Sequence, residues 1–435
     1  MKVKKNKVKV ITLGCSKNLV DSEFIMAQLK SNNVELTDDE KKCESVIINT
    51  CGFIDTAKEE SVNTILKAVE RKEKGKLKNI YVAGCLSDRY KSELEKEIPE
   101  VTKYFGATDK HKTVVQILNE FGVDYKNELL GERLVTTPSH FAYIKISEGC
   151  DNPCSFCAIP IMRGGHISKP LQEILTEAQK LASFGVKELV IIGQDTTYWG
   201  IDTGQKRGLS RVLNELSEVN GIEWLRLMYA YPSRFPLDVI DVIRDNGKIC
   251  KYIDIPVQHV SDNILKSMRR GITKKSQLGL LEKLRKEIPG LALRTSVMVG
   301  YPGETEKDFE ELLHFIREFR FDRLGVFIYS HEEGTYAYGL KDNIPKKEKL
   351  HRQKLILEAQ KKIAEENNSL SIGKNFKVLI DRKEGEHFIG RTYKDAPEVD
   401  QEVFVSGSEN LKIGNFYNVS IFDSEEFDLF GEVIK

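Results

Sequence analysis

Three short apolar runs, VKVITLGC, SVIINTC and IYVAGC, each end on a cysteine, and this repeat constrains the fold of the chain more than any other feature. Runs rich in Val and Ile, bounded by turn residues, read as buried strands. Cys15, Cys51 and Cys85 stand 36 and 34 residues apart. That spacing suits successive β-α units, and amphipathic stretches at residues 22–30 and 57–72 predict the helices between them. Such units build an open α/β sheet, in which ligands collect at the carboxyl ends of the strands. Three thiols at three strand ends then face one crevice and can hold a metal cluster. Buried core cysteines are the alternative reading.

A second group is tighter. In EGCDNPCSFCAIP, Cys150, Cys154 and Cys157 form a C-x3-C-x2-C run on one loop. Three thiolates so close together suit three corners of a cubane iron-sulfur cluster, leaving one iron without a protein ligand. Zinc asks for a fourth Cys or His at similar spacing. The nearest candidate, His166, lies beyond a proline and two glycines and belongs to no paired ligand motif. Of the two remaining cysteines, Cys43 in the charged stretch DDEKKCES reads as a stray thiol, and Cys250 before an apolar strand reads as a packed core residue.

From Phe141 onward six strand-like runs recur: FAYIKIS, ELVIIGQD, WLRLMYAY, YIDIPVQ, LRTSVMVGY and RLGVFIYS. Helical patterns at residues 171–184, 209–218, 274–286 and 306–319 separate them, which predicts a parallel β/α array and a partial, open barrel. The tight cysteine loop follows the first of these strands, on the face where barrel active sites are built. Pro345 opens a charged helix through Asn368 whose basic residues read as a solvated face. After Gly373 the pattern changes to short alternating strands, FKVLIDR, HFIGRTY, EVFVSG, FYNVSIFD and LFGEVIK. The expected class is therefore α/β. It divides into an N-terminal open α/β domain over residues 1–124, a central partial (β/α)6 barrel over 136–369 and a small antiparallel β-barrel over 370–435, with the polar stretch 122–139 as the first linker.

CDNPCSFC, with Phe156 just before the last cysteine, resembles the radical S-adenosylmethionine signature. Together with LGCSKNLVDSE, INTCGFI and VAGCL, it makes nearly the whole chain similar to the methylthiotransferase family. Members of that family insert sulfur into unactivated C–H bonds and methylate it. LGCSKNLVDSE and TPSHFAYIKISEGCDNPCSFCAIPIMRG resemble the branch that modifies the β-carbon of an aspartate in a small-subunit ribosomal protein. The alternative branch acts on tRNA adenosine and usually carries Gln-Met-Asn where this chain has Ser16, Lys17 and Asn18.

The resemblance implies two [4Fe-4S] clusters, one on Cys150, Cys154 and Cys157 and an auxiliary one on Cys15, Cys51 and Cys85. It implies two S-adenosyl-L-methionine molecules per turnover: one methylates a sulfur carried by the auxiliary cluster, and the other yields the 5′-deoxyadenosyl radical that takes a hydrogen from the substrate. An electron donor such as a flavodoxin or ferredoxin follows from the same resemblance. So do cofactor contacts at Phe156, at Gly193, Gln194 and Asp195 after the second strand, and at Gly300, Gly303 and Glu304 in VMVGYPGET. Plain turns are the alternative for both glycine motifs. Gln258 and His259 in DIPVQH share that rim, where a lone histidine is usually structural. Arg163, beside Gly164 and Gly165, reads either as part of the cofactor pocket or as the partner of a local carboxylate. No catalytic side chain beyond the cluster ligands is expected, because hydrogen abstraction needs no general base.

The C-terminal module resembles a TRAM domain, an RNA-binding type. Formal net charge is zero overall, yet residues 370–435 carry eight basic against thirteen acidic side chains. An acidic surface is poor at gripping a phosphate backbone, so RNA binding stays open. It suits a basic ribosomal protein, free or on the ribosome, and a solvated face with no partner is the alternative. An iron-sulfur sensor is the rival outside catalysis, but it has no use for a second triad or a six-stranded barrel. The basic start MKVKKNKVKVITLGC lacks the apolar core of a signal peptide, and no run approaches a membrane span. Grouped cysteines suit a reducing compartment, so a cytoplasmic protein without membrane partners is expected.

Overall fold

The computed structural model describes residues 7–129, 131–406 and 410–434. Residues 1–6 of the basic start, and residues 407 and 435 at the ends of two expected barrel strands, lie outside them. The chain forms two compact units: the first takes residues up to 136 with 143–151 and 158–180, and the second takes 137–142, 152–157 and the chain from 181 onward.

The first unit contains a parallel sheet in the order β2-β1-β3-β4-β5. Its strands are β1 (Lys7–Thr12), β2 (Glu35–Leu36), β3 (Ser45–Thr50), β4 (Asn79–Gly84) and β5 (Lys103–Tyr104). Side chains alternate across the two faces. Val46, Ile48, Ile80 and Val82 meet Ile65 and Val69 of the helix Asp55–Glu73 on one face. On the other, Ile47, Tyr81 and Ala83 meet Ile25 and Leu29 of the helix Ser16–Ser31 and Ile117 and Leu118 of the helix Lys110–Glu120. Strands covered on both faces are apolar without interruption, which makes them visible as runs. The order reverses between β1 and β3, and such a switch point opens a crevice at the carboxyl ends. Cys15, Cys51 and Cys85 follow β1, β3 and β4, three adjoining strands.

A six-stranded sheet runs in the order β13-β12-β11-β10-β9-β6. It comprises β6 (Phe141–Lys145), whose first two residues belong to the second unit, and then β9 (Glu188–Ile192), β10 (Trp224–Leu227), β11 (Ile249–Asp254), β12 (Ala292–Val299) and β13 (Arg323–Ile328). Neighbours from β9 to β13 are parallel, as a sequential β/α array requires. The two-residue strands β7 (Ser147–Glu148) and β8 (Ile167–Ser168) bracket the tight cysteine loop in sequence and pair antiparallel. Helix starts follow local chemistry: Thr305 and Asp308 form a reciprocal capping box ahead of Glu306–Phe319, which satisfies otherwise orphaned amides. The basic residues of the helix Lys346–Ser369 form a mostly solvated face as expected, with Lys346, Lys347, Lys354, Lys361 and Lys362 exposed, while the opposite face packs inward. It buries Ile356, Ala359 and Ile363 at helical spacing. Lys349 and Arg352 are buried with them, held by Asp342 and Glu304 at 2.7 and 2.8 Å.

The C-terminal strands β14 (Asn375–Glu384), β15 (His387–Arg391), β16 (Glu402–Ser406), β17 (Phe416–Ser424) and β18 (Asp428–Val433) close into a barrel. Val378, Ile380, Val403, Val405, Val419 and Ile421 fill it. Four pairings are antiparallel, and β16 with β18 is parallel. A buried polar network joins barrel and sheet within the second unit. Glu188 of β9 accepts from Arg226 of β10 at 2.7 Å and forms an ion pair with Arg391 of β15 at 2.8 Å, and Arg391 also grips Asp381 at 2.7 and 2.9 Å. Among the described residues no helix is long and apolar enough to cross a membrane.

Candidate functional site

In the first unit Cys15 caps the helix Ser16–Ser31, Cys51 leaves β3, and Cys85 opens the short helix Cys85–Arg89. Cys51 and Cys85 are buried, while Cys15 is exposed. The N-terminal end of the helix after Cys15 favours negative charge beside it. Gly14 has φ +88°, and a Cβ there would lie 2.6 Å from Cys51 Cβ and 2.8 Å from its Sγ. Only glycine lets the exit of β1 pass so close to that thiol. Burial pushes the Cys51 thiol up to about 11, and the neighbouring Cys15 and Cys85 thiols add to the rise. Among the described residues no group of three or more His, Cys, Asp or Glu side chains is placed to hold a single metal ion. A cubane needs less convergence, because each thiolate takes a different iron, and soft thiols at three adjoining strand ends fit it.

Polar side chains lock this crevice. Asn18 Nδ2 donates to the carbonyls of Leu13 and Thr50 at 2.9 and 3.0 Å, tying the exits of β1 and β3 together. Arg163 is buried; its Nε donates to Cys85 Sγ at 3.2 Å, and its other nitrogens donate to Asp21 at 2.7 Å and to Asn18 Oδ1. Lys145 donates to Asp21 at 2.5 Å and to Glu148. Burial opposes the charge of Lys145, but Asp21 and Glu148 outweigh it and hold its pKa above the usual value. Arg163 pairs with carboxylates, but the nearer one is Asp21, distant in sequence, rather than the local Glu148 at 3.5 Å, and a thiol joins them.

Cys150 falls in the first unit, where its amide donates to the Gly164 carbonyl at 3.2 Å. Cys154 and Cys157 fall in the second, joined by a turn in which Cys157 N donates to Cys154 O at 3.1 Å. Cys154 Sγ accepts from Arg270 at 3.3 Å and lies 3.4 Å from the Tyr231 hydroxyl. Arg270 also lies 4.2 Å over the Tyr231 ring. Phe156 is half-buried against Met268, Tyr301 and Tyr329. Gly193, Gln194 and Asp195 leave β9; Asp195 accepts from Thr197 N at 2.9 Å and from Asn152 at 2.7 Å, which holds this loop to the one carrying Cys154.

After β12, Gly300 and Gly303 adopt φ +73° and +85°. Glu304 closes their turn, accepting from the amides of Gly300 and Tyr301 at 2.7 and 3.2 Å and from Arg352 at 2.8 Å. Both of its oxygens are thereby engaged. Gln258 and Tyr229, past the carboxyl ends of β11 and β10, hold φ +67° and +60°. Non-glycine residues in that region store about 1–3 kcal/mol and cluster at functional sites. Tyr229, Tyr231 and Arg270 escape sequence reasoning; the only local signal is the YAYPSR run at a strand exit.

His259 is structural. It is fully buried, its Nδ1 accepts from Ser261 N at 3.0 Å, and burial pushes its pKa down to about 4. The unfolded chain therefore takes up this proton first, so the stability contribution is complete above about pH 6.5 and is lost as pH falls towards 4. By pH 5 the loss amounts to about 2 kcal/mol. His259→Asn is expected to flatten that part of the acid profile, read as thermal midpoint against pH. Cys250 is buried as expected. Cys43 is not a stray thiol: it is buried, and its Sγ donates to Glu40 O at 3.3 Å. The turn before it throws the charged side chains outward while the chain enters β3.

Comparison with known proteins agrees with this geometry. Residues 144–316 match the Radical SAM superfamily, 7–106 match the family described as uncharacterized protein family UPF0004, and 372–434 match the TRAM domain. The radical S-adenosylmethionine methyltransferase TsrM from Kitasatospora setae shares the fold at TM-score 0.56, with 14% identity over 74% of this chain and 73% of its own. Ribosomal protein uS12 methylthiotransferase RimO from Cytophaga hutchinsonii is 54% identical over 99% of this chain and 98% of its own length. The proteins of the same name from Flavobacterium johnsoniae and Bacteroides fragilis are 53% and 51% identical, over 99% of this chain and 98% and 100% of theirs. With identity at that level from end to end, and three strand-end thiols and a six-stranded sheet in the structure, the chain belongs to the RimO family of radical S-adenosylmethionine methylthiotransferases.

Proposed function

We propose that the protein adds a methylthio group to the β-carbon of an aspartate in ribosomal protein uS12, in the cytoplasm. Membership of the radical S-adenosylmethionine superfamily implies a [4Fe-4S] cluster and S-adenosylmethionine. In this reading Cys150, Cys154 and Cys157 hold that cluster within a core of residues 136–369. Cys15, Cys51 and Cys85 hold an auxiliary one within residues 1–124, and a flavodoxin or ferredoxin provides electrons. Once bound, these groups supply a radical able to take hydrogen from an unactivated carbon and a methylated sulfur for that carbon to capture.

The chain's own residues position and shield. Arg270 and Tyr231 fix the Cys154 sulfur from one side, and Asp195 fixes the loop beside it. Phe156, Gly193, Gln194, Gly300, Gly303 and Glu304 border the cofactor in this reading, with Glu304 acting on the turn rather than on the ligand because its oxygens are engaged by Gly300, Tyr301 and Arg352. Orientation and exclusion of water, not proton transfer, are what such a site contributes.

The observation that carries the reading is the trio of cysteines at the carboxyl ends of β1, β3 and β4, in a chain about half identical to its RimO relatives over its full length. The acidic C-terminal residues favour a basic protein over tRNA. Reconstituted protein, S-adenosylmethionine and dithionite, incubated anaerobically with uS12 or with tRNA, test it by mass spectrometry. A methylthio increment on an aspartate of uS12 is expected, and an increment on tRNA alone would overturn the choice of substrate.

A further inference from the structure

Arg163 stands out among the buried charges of the first unit because one of its nitrogens faces sulfur. Its Nε–H points at Cys85 Sγ, 3.2 Å away, and the residue is only 4% exposed. The guanidinium cannot swing, because Asp21 takes one terminal nitrogen at 2.7 Å and Asn18 Oδ1 takes the other. Asn18 is itself pinned by the carbonyls of Leu13 and Thr50, so the donor is fixed to the same strand exits that carry the thiols. Its charge is already balanced locally: Arg163 and Lys145 face Asp21 and Glu148, two cations against two carboxylates. Arg163 acts on Cys85 through its charge and through the directed N–H, and the N–H is the part with a fixed direction.

We propose that Arg163 is a positioning residue for the auxiliary centre, whose hydrogen bond orients the Cys85 sulfur and raises the reduction potential of the cluster bound there. Hydrogen bonds to ligating sulfur withdraw electron density and stabilise the reduced form. Arginine suits the task because its planar fork serves three partners in fixed directions; the lysine ammonium keeps the charge but loses that geometry. Arg163 comes six residues after Cys157, so the segment that carries the tight cysteine motif also delivers the donor to the dispersed one. The inference rests on the reading of Cys15, Cys51 and Cys85 as cluster ligands.

The test uses the full-length chain with Cys150, Cys154 and Cys157 changed to alanine, so that only the auxiliary centre reports. This parent and its Arg163→Met and Arg163→Lys derivatives are reconstituted with iron and sulfide, and their midpoints are read by an EPR-monitored redox titration. All three are expected to load similar iron, with the midpoint moved to more negative potential in both derivatives. An iron-free parent would overturn the cluster reading itself. An iron-loaded parent whose midpoint is unchanged in the derivatives would overturn the role of Arg163 alone. If the methionine form does not fold, the lysine form decides, and a parental midpoint there would exclude the hydrogen bond in favour of charge.

Discussion

A chain with Cys15, Cys51 and Cys85 all changed to alanine is expected to keep cleaving S-adenosylmethionine while transferring no methylthio group to uS12. The two activities separate because the two thiol sets occupy different segments: the dispersed set follows three strands of the first sheet, and the tight set follows β6. Iron per chain is expected to fall by about half, as the loss of one of the two proposed four-iron clusters requires. The fold is expected to survive. Cys15 is exposed, and truncating the buried Cys51 and Cys85 removes one sulfur each, a loss of about 1 kcal/mol apiece. Chromatography of 5′-deoxyadenosine and the mass of uS12 read the two activities side by side. Continued methylthio transfer would show that the sulfur is delivered from elsewhere.

The largest expected effect on stability lies at a buried ion pair in the second unit. Glu188 and Arg226 are both fully buried, and Glu188 meets Arg226 and Arg391 at 2.7 and 2.8 Å. Arg391 keeps Asp381 if Glu188 is lost. Arg226 then keeps the carbonyls of Tyr393 and Thr392 and the Tyr252 and Trp224 rings, but no carboxylate at ion-pair distance among the described residues. Breaking a buried pair from one side leaves an uncompensated charge, so Glu188→Gln is expected to cost about 3–5 kcal/mol. That corresponds to a fall of about 10 °C in the thermal midpoint of the second unit. Changing Arg226→Met together with Glu188→Leu is expected to recover part of the loss, because an apolar pair of similar volume leaves no stranded charge. Calorimetry of the two variants measures both effects. A double variant no more stable than the single one would mean that packing, not charge, governs the site.

The inner strands β3, β4 and β9 are legible in the sequence because they are buried on both faces and read as largely apolar runs. The cysteine sets are legible because three thiols at strand exits and three on one loop are rare groupings. What stays hidden is held together by distant partners. Glu35–Leu36 and Lys103–Tyr104 are strands only because β1 and β4 pair with them. Arg163 has a local sequence signal, but its partners Asp21 and Cys85 lie 142 and 78 positions away. Arg270 reaches Cys154 across 116 positions. The charged residues around Cys43 mislead for a related reason: a turn can point its charges outward and still bury the thiol that follows. Lys349 and Arg352 mislead in the same way, since acidic partners from other segments bring them inside.

We propose that one chain houses two separate iron-sulfur centres, one to generate a radical and one to deliver sulfur. Mössbauer spectroscopy of iron-57 protein in which Cys150, Cys154 and Cys157 are replaced by alanine tests it most directly. A retained [4Fe-4S] spectrum at about four irons per chain is expected; a chain stripped of iron would rule out the auxiliary centre.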